Sequence, residues 1–527
     1  MDDQADAIAF LAAGAGLDLA GDKVTRIDTH ASSVFLIADR AFKLKRAVRY
    51  SYLDYSTLER REEACRAELE INRRIAPALY LGVRAIARAA SGAVGFDGGE
   101  EILDWVVEMR RFDTEMLFDR LATRGELSAA MMRALADEVA AFHANAERAR
   151  DGIGGDLARV VADTVANLRA AGDALDQDAV ARLDQAARAA LSAQTSLLER
   201  RRRDGKVRRC HGDLHLGNIC LIDGKPTLFD AIEFSVELAT IDVLYDLAFL
   251  VMDLVHRRLG GHASLVLNRY LDLARDDEGM AAMTLFLSAR AAIRALVTNT
   301  AAALAGDEKQ RQAKRDEARQ YLALAEAVLA PAKPRVIAIG GRSGSGKSTV
   351  AQALAPDLSP VPGARILRSD VMRKTMLDLA PETKLPDSTY TRAMGRQVYA
   401  RMEHEAARLI GAGVSVILDA TFLDPRERQE AELMATNAGV PFTGIWLEAP
   451  GEVMAARLDE RRGDASDATA AVLDRQMRGE LGAMTWRRVE SGGSLPRVLA
   501  AVRRAAGLTE TPISPRMGRG GARGERI

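Results

Sequence analysis

The run Gly341-Arg-Ser-Gly-Ser-Gly-Lys-Ser348 leaves few folds open to the chain that carries it. Its spacing is GxxxxGK[ST], and it stands between an apolar strand, VIAIGG, and a helical stretch, TVAQALA. Gly341, Gly344 and Gly346 let backbone N–H groups close around phosphate oxygens where a side chain would block the approach. Lys347 is then placed to reach the β- and γ-phosphates of a nucleotide, and Ser348 to offer a hydroxyl to Mg²⁺. Ser345 and Thr349 complete the cradle at the positive end of the helix. Downstream, RILRSD, SVILDATF and FTGIWLE alternate with helical segments, which predicts a parallel α/β sheet. Two acids fall at strand ends of that sheet, where ligands collect. Asp370 in RSDVMRK can accept a hydroxyl proton, with Arg373 one turn on to clamp an anion, and Asp419 in VILDATF faces the substrate side. Helix capping is the plainer reading of either Asp alone. Arg457, Arg461 and Arg462 lie on an amphipathic stretch that is otherwise a solvated charged face.

Pro331 and Pro334 precede the first of these strands and mark a boundary. The expected domains are 1–330, 331–507 and a Gly-, Arg- and Pro-rich tail, 508–527, with too little apolar material to order itself. Upstream of the boundary, VFLIADRAFKLK (34–45) reads as a hairpin turning at Asp39 and Arg40. A helix follows, with Ser56 and Glu59 as a capping box and Leu58, Cys65, Leu69, Asn72 and Ala76 along one face. More β-type sequence spans 79–109. Helical periodicity covers about 114–205 and returns over about 240–329.

HGDLHLGN (211–218) sits between those helical stretches. Asp213 and, five residues on, Asn218 match a phosphoryl-transfer loop in which an Asp takes the acceptor proton and an Asn holds Mg²⁺. Asp230, in TLFDAIEF beyond a hairpin, is the second Asp, which holds Mg²⁺ together with Asn218. Two other readings stay open: a metal cluster of His211, Asp213 and His215, and buried histidines that merely orient the loop. The transfer reading requires a strand Lys held by a helix Glu. Lys43 and Lys45 share one strand face, and Glu68 is the carboxylate nearest the buried helix face, so Lys45 paired with Glu68 is the expected phosphate contact. VVEMRRF places Glu108 and Met109 where a hinge backbone would meet adenine.

With 73 Lys plus Arg against 74 Asp plus Glu, no general basic field favours nucleic acid or anionic membrane. A local run, ERRRRDGK (199–206), is the one candidate patch. Cys65, Cys210 and Cys220 show no CxxC spacing, which fits a reducing cytoplasm. The acidic start lacks a secretory signal. The most apolar stretch, 243–255, is interrupted by Asp246 and Asp253 and reads as a buried helix rather than a membrane span.

Residues 1–330 resemble the aminoglycoside phosphotransferase and choline kinase-like group in HGDLHLGN, FDAIEF and DLAFL (246–250). The last third resembles small P-loop kinases of the polynucleotide kinase, gluconate kinase and zeta-toxin type in GRSGSGKS, SDVMR and DATFLDPRER. The whole resembles bacterial fusions of an aminoglycoside phosphotransferase-like domain with an AAA-type ATP-binding domain. The resemblance implies an α+β protein-kinase-like fold followed by an α/β P-loop fold, with ATP and Mg²⁺ as cofactors. By it, Asp213 and Asp370 are bases, Arg373 is an acceptor clamp and Arg461 belongs to a lid. THASSVF stands where protein kinases carry a glycine-rich loop, and 280–320 is mixed in charge, with Arg290, Arg294, Lys309, Arg311, Lys314 and Arg315, which weakens an antibiotic polycation as acceptor. Two small-molecule hydroxyl kinases in one chain are expected. The alternatives are a nucleotide-sensing regulator and a C-terminal half acting on nucleic-acid ends.

Overall fold

A computed structural model describes residues 4–17, 23–29, 31–50, 53–149, 154–460 and 465–508. Arg461, Arg462 and tail residues 509–527 lie outside the described residues. The packing divides the chain into two compact units, 1–156 with 202–247, and 157–201 with 248–527.

The first unit is built on a six-stranded antiparallel sheet. Its order is Thr25–Asp28, Ser32–Ile37, Arg40–Lys45, Glu101–Arg110, Tyr80–Arg88, Val94–Phe96. The hairpin turns at Ala38 and Asp39, one residue earlier than the sequence suggests, because Ile37 pairs with Arg40. Alternation sorts the next strand. Phe42 and Leu44 join Leu11, Phe35 and Ile37 in one core, while Ala41 packs with Cys65, Tyr80 and Met109 in another. Lys43 and Lys45 therefore share Ala41's face, toward the helix Leu58–Arg73. That helix starts one residue later than expected. Thr57 is its N-cap, accepting from the Arg60 N–H, whereas Ser56 donates its hydroxyl to Asp54. Its buried stripe includes Cys65, Glu68 and Asn72.

The second unit contains a five-stranded parallel sheet in the order Arg365–Arg368, Val416–Asp419, Val336–Gly341, Phe442–Glu448, Arg487–Glu490. The sequence pattern anticipates the first four; the fifth is short and charged and carries no apolar signal of its own. Ile337, Ile339, Leu354, Ile417, Ile445 and Val502 form the core of this sheet. The helix Gly260–Ala274 packs in the same unit: Asn268 donates to the Ala364 carbonyl and accepts from the Ile366 N–H at the sheet's edge. The stretch 243–255 is helical and buried, as its interrupting aspartates imply. Among the described residues, one helical stretch, Asp277–Ala303, is long and apolar enough to cross a membrane, and 67% of its most apolar window is buried.

Candidate active sites

In the first unit, the segment 211–218 is held from below by Asp246. Its carboxylate accepts the backbone N–H groups of His211 (3.1 Å) and Gly212 (2.9 Å), and lies 3.1 Å from His143 Nε2. His211 is fully buried. Its Nε2 donates to the Phe229 carbonyl at 2.9 Å, and its Nδ1 faces the Asp213 N–H. Burial lowers its pKa, with Asp246 and Asp213 pulling the other way. Both nitrogens of His211 are thus engaged within the loop, which favours the orienting role over metal ligation. Among the described residues, the cluster whose atoms could converge on a metal is instead His143, Cys210 and Asp246, and Asp246 already serves three donors there.

Asn218 donates from Nδ2 to Asp213 Oδ2 at 2.9 Å, which turns its own carbonyl oxygen away from Asp213. His215 caps the short turn after it: Nδ1 accepts from the Gly217 N–H at 3.1 Å, and Nε2 lies 3.4 Å from Asp213 Oδ2. Gly212, at φ 82°, is needed, since a Cβ there would meet Ile232 at 2.8 Å.

The expected Lys–Glu pair is present, but it is larger than the motif implies. Glu68 bonds Lys43 at 2.9 Å and also pairs with Lys45. Lys43 continues to Asp230, and Lys45 to Glu233, which accepts the Tyr55 hydroxyl at 2.7 Å. Burial opposes charge on both lysines, yet Asp230 and Glu68 around Lys43, and Glu233 and Glu68 around Lys45, hold them protonated well above the ordinary range. Burial likewise opposes the Glu68 carboxylate and is outweighed by Lys43 and Lys45, leaving its pKa low.

Glu108 and Met109 stand elsewhere than a hinge requires. Their strand is paired on both edges, with Phe42 and Ala41 on one side and Gly82 and Tyr80 on the other. Backbone groups inside a two-sided ladder are spent on it. The chain leaves the sheet after Arg110.

In the second unit, the strand Val336–Gly341 delivers the loop to the helix Lys347–Leu354. Gly344 has φ 81°, and a Cβ there would lie 2.4 Å from the Met454 carbonyl oxygen. Gly344→Ala must therefore displace the loop, at a cost of about 1–3 kcal/mol. The expected outcome is a roughly tenfold or greater loss of ATP affinity at this loop by calorimetry. Lys347 donates to the Arg342 carbonyl across the loop at 3.0 Å. Ser345 Oγ is buried and makes no hydrogen bond, while the buried Asp419 Oδ2 has Arg368 Nε at 3.4 Å. Buried oxygens of this kind want a ligand.

Asp419 ends the strand beside the loop strand, in register with Ile339 and Arg368. Burial raises its pKa, opposed by Arg368, Lys347 and a Ser348 hydrogen bond. Asp419 thus sits against the phosphate loop, in the same cavity as Asp370 and Arg373. Asp370 bonds Arg373 at 3.1 Å, and Arg373 lies over the Tyr390 ring at 4.7 Å. These residues, with Lys347, Ser348, Thr349, Arg368 and Arg457, line one open cavity of about 660 Å³. Asp467 accepts from the Tyr390 hydroxyl at 2.6 Å and lies 3.4 Å from the buried Lys374.

Sequence reasoning missed Glu233, Tyr55, Gln476 and Asp467. Glu233 was visible as a second acid in FDAIEF, three residues after Asp230. Gln476, which accepts the Ser343 N–H at 2.8 Å, has no local signal, because it reaches the loop from a helix over 130 residues away.

Comparison with known proteins finds two family matches along the chain. Residues 24–286 match the phosphotransferase enzyme family, and residues 336–479 match an AAA domain. An uncharacterized protein of Mycobacterium tuberculosis is 31% identical over 454 residues, covering 84% of this chain and 88% of that protein. An adenylyl-sulfate kinase of Myxococcus xanthus is 32% identical over 122 residues, 23% of this chain and 62% of that one. A choline/ethanolamine kinase family protein of Mesorhizobium loti is similar at 15% identity over 61% of this chain and 98% of its own, with a TM-score of 0.37. An APS kinase of Mycobacterium tuberculosis, solved with AMPPNP and APS, is similar at 19% identity over 33% of this chain and 98% of its own, with a TM-score of 0.26.

Proposed function

Since this chain belongs to a family that joins a kinase-like phosphotransferase domain to a P-loop kinase-like domain, we propose that it carries two separate ATP-dependent sites, each phosphorylating the hydroxyl of a small molecule. The observation that carries this reading is the doubling of complete machinery. Asp213, Asn218, Asp230, Lys43 and Glu68 converge in one unit, and the loop 341–348 with Asp370 and Asp419 converges in the other.

At the first site, the acceptor oxygen attacks the γ-phosphorus, the bond to the β-bridging oxygen breaks, ADP leaves, and Asp213 takes the hydroxyl proton. Asn218 orients Asp213 through its Nδ2 bond. The Asn218 carbonyl oxygen and the Asp230 carboxylate are hard oxygen donors that suit Mg²⁺, which supplies charge neutralisation on the phosphates when bound. Lys43, rather than Lys45, is the phosphate contact in this reading. It pairs with both Glu68 and Asp230 and keeps 12% of its side chain exposed, against 1% for Lys45. Its neighbour Ala41 also aligns with Met109, so Ala-Phe-Lys43 occupies the place of the kinase Ala-x-Lys strand. The adenine edge would then meet the backbone at Phe112, just past the sheet, since the Arg111 N–H already bonds the Asp39 carbonyl and the Asp113 carbonyl already accepts from the Met116 N–H.

At the second site, Lys347 and the loop amides hold the phosphates, Ser348 and Asp419 suit Mg²⁺, Asp370 is the base and Arg373 clamps an anionic group of the acceptor. Arg457, which donates to the Ser491 carbonyl at 2.8 Å beside the loop, is an anchor of the lid stretch that includes Arg461. The near-neutral charge balance supports small-molecule acceptors over nucleic acid.

Calorimetry with a non-hydrolysable ATP analogue and Mg²⁺ tests the two-site reading. Two equivalents should bind per chain, falling to one in Lys347→Ala. One equivalent in the parent chain, or no change on Lys347→Ala, would overturn it.

A further inference from the structure

The second strand lysine and the second acid of FDAIEF have no part in the transfer chemistry above, yet they belong to a deeply buried charged group. Lys45 keeps 1% of its side chain exposed, Glu68 0% and Glu233 8%. Lys45 bridges the two carboxylates, Tyr55 donates to Glu233 at 2.7 Å, and Lys45 lies 5.3 Å from the Tyr55 ring centre. A buried cation with two counter-charges and a hydroxyl is costly to assemble, and apolar residues of like volume would commonly serve stability as well. A role beyond packing is therefore worth locating.

The location is the segment Asp230–Glu233. Asp230 is held at φ 63°, a left-handed conformation that a residue with a Cβ resists. Four tethers impose it. The Asp230 N–H donates to the Tyr80 hydroxyl at 3.1 Å, the Ala231 N–H to Asn72 Oδ1 at 2.9 Å, and the Ile232 N–H to the His211 carbonyl at 2.9 Å. Glu233 supplies the fourth, which is the ionic one: through Lys45 it ties the segment to the strand Arg40–Lys45, and so fixes Asp230 against Lys43.

We propose that Lys45, Glu233 and Tyr55 are positioning residues that clamp the Asp230 segment in its left-handed conformation and thereby set the site's affinity for the divalent cation. This rests on the kinase reading of the first unit. Lys43 pairs with Asp230 itself, and Lys45, through Glu233, secures the segment that carries Asp230. Residues that orient a metal ligand through a shared segment alter metal affinity by about 10- to 100-fold when replaced.

The test uses the full chain in a Lys347→Ala background, titrated with Mn²⁺ in the presence of a non-hydrolysable ATP analogue, with free Mn²⁺ read by electron paramagnetic resonance. Glu233→Gln keeps an acceptor for Tyr55 but removes the charge, and should weaken Mn²⁺ binding at least about tenfold. Analogue affinity at saturating Mn²⁺ should change less than about threefold. Tyr55→Phe removes only the hydroxyl tether and should shift Mn²⁺ affinity in the same direction by less. The charge-free pair Lys45→Met with Glu233→Leu guards against misfolding: it should melt as cooperatively as the parent yet bind Mn²⁺ as weakly as Glu233→Gln. Parent-like Mn²⁺ affinity in that folded double variant would overturn the clamp. So would a loss of analogue affinity at saturating Mn²⁺ in Lys45→Met matching that in Lys43→Ala, since Lys45 would then touch the nucleotide itself. Failure of the underlying reading looks different: no ATP analogue would bind the Lys347→Ala chain at all.

Discussion

Asp213→Asn should lower single-turnover transfer at the first site by about 10²- to 10⁴-fold, the usual contribution of a general base. ATP affinity should stay unchanged. The replacement is nearly isosteric, and the side chain is 41% exposed, so the fold has little to lose. Its remaining oxygen can still accept from Asn218 Nδ2, which preserves the loop. What disappears is the ability to take a proton from the attacking hydroxyl. Single-turnover measurement with γ-labelled ATP in the Lys347→Ala background isolates this site, and the same substitution in an otherwise unaltered chain should leave the Lys347-dependent turnover intact. Transfer within about threefold of the parent would remove Asp213 from the chemistry.

The second large effect is on stability. Arg365 begins the edge strand that leads to Asp370, and only 4% of it is exposed. Its guanidinium pairs with Asp272 at 2.7 Å and Asp277 at 2.5 Å. It also reaches the Asn268 side-chain oxygen at 3.2 Å. Burial raises the pKa of Asp272 even with Arg365 beside it. Arg365→Ala would leave two carboxylates facing each other in a buried site without their cation. Losing one partner of a buried ion pair costs about 3–5 kcal/mol. Urea denaturation followed by a probe in the second unit should show its transition at lower denaturant by that amount, and a change below about 1 kcal/mol would contradict the account. Replacing Arg365 by Leu together with Asp272→Asn and Asp277→Asn should recover part of the loss, because no uncompensated charge then remains buried. Asp370 lies five residues beyond Arg365, so turnover at the second site is expected to fall with the truncation and return with the triple variant.

Local patterns carried much of this far. The loop 341–348 is legible because its function is written in consecutive backbone geometry: glycines where amides must approach phosphate, then a lysine and a hydroxyl at the helix start. HGDLHLGN and Asp230 are legible for a similar reason, since a short loop and a hairpin set their spacing. The strand lysines were visible as a pair on one face by alternation alone. Helix caps were displaced by one residue, because Ser56 and Thr57 are equally good caps and Asp54 claims the first of them.

Other assignments depend on partners distant along the chain. Alternation cannot rank Lys43 against Lys45; the ranking comes from Asp230 and Glu233, nearly 190 residues away, each claiming one lysine. Asp419 reads as an acid at a strand end, and only the strand order sets that strand beside the one that delivers the phosphate loop. Glu108 and Met109 have the right sequence context for a hinge, but sheet pairing on both edges occupies their backbone. The sequence by itself determined two sets of candidate phosphate-handling groups and the folds that present them, because glycine, charge and apolar period act over a few residues. The tertiary structure alone decided which acid each strand lysine pairs with, Asp230 for Lys43 and Glu233 for Lys45, because those choices are made by long-range ion pairs competing for the same charges.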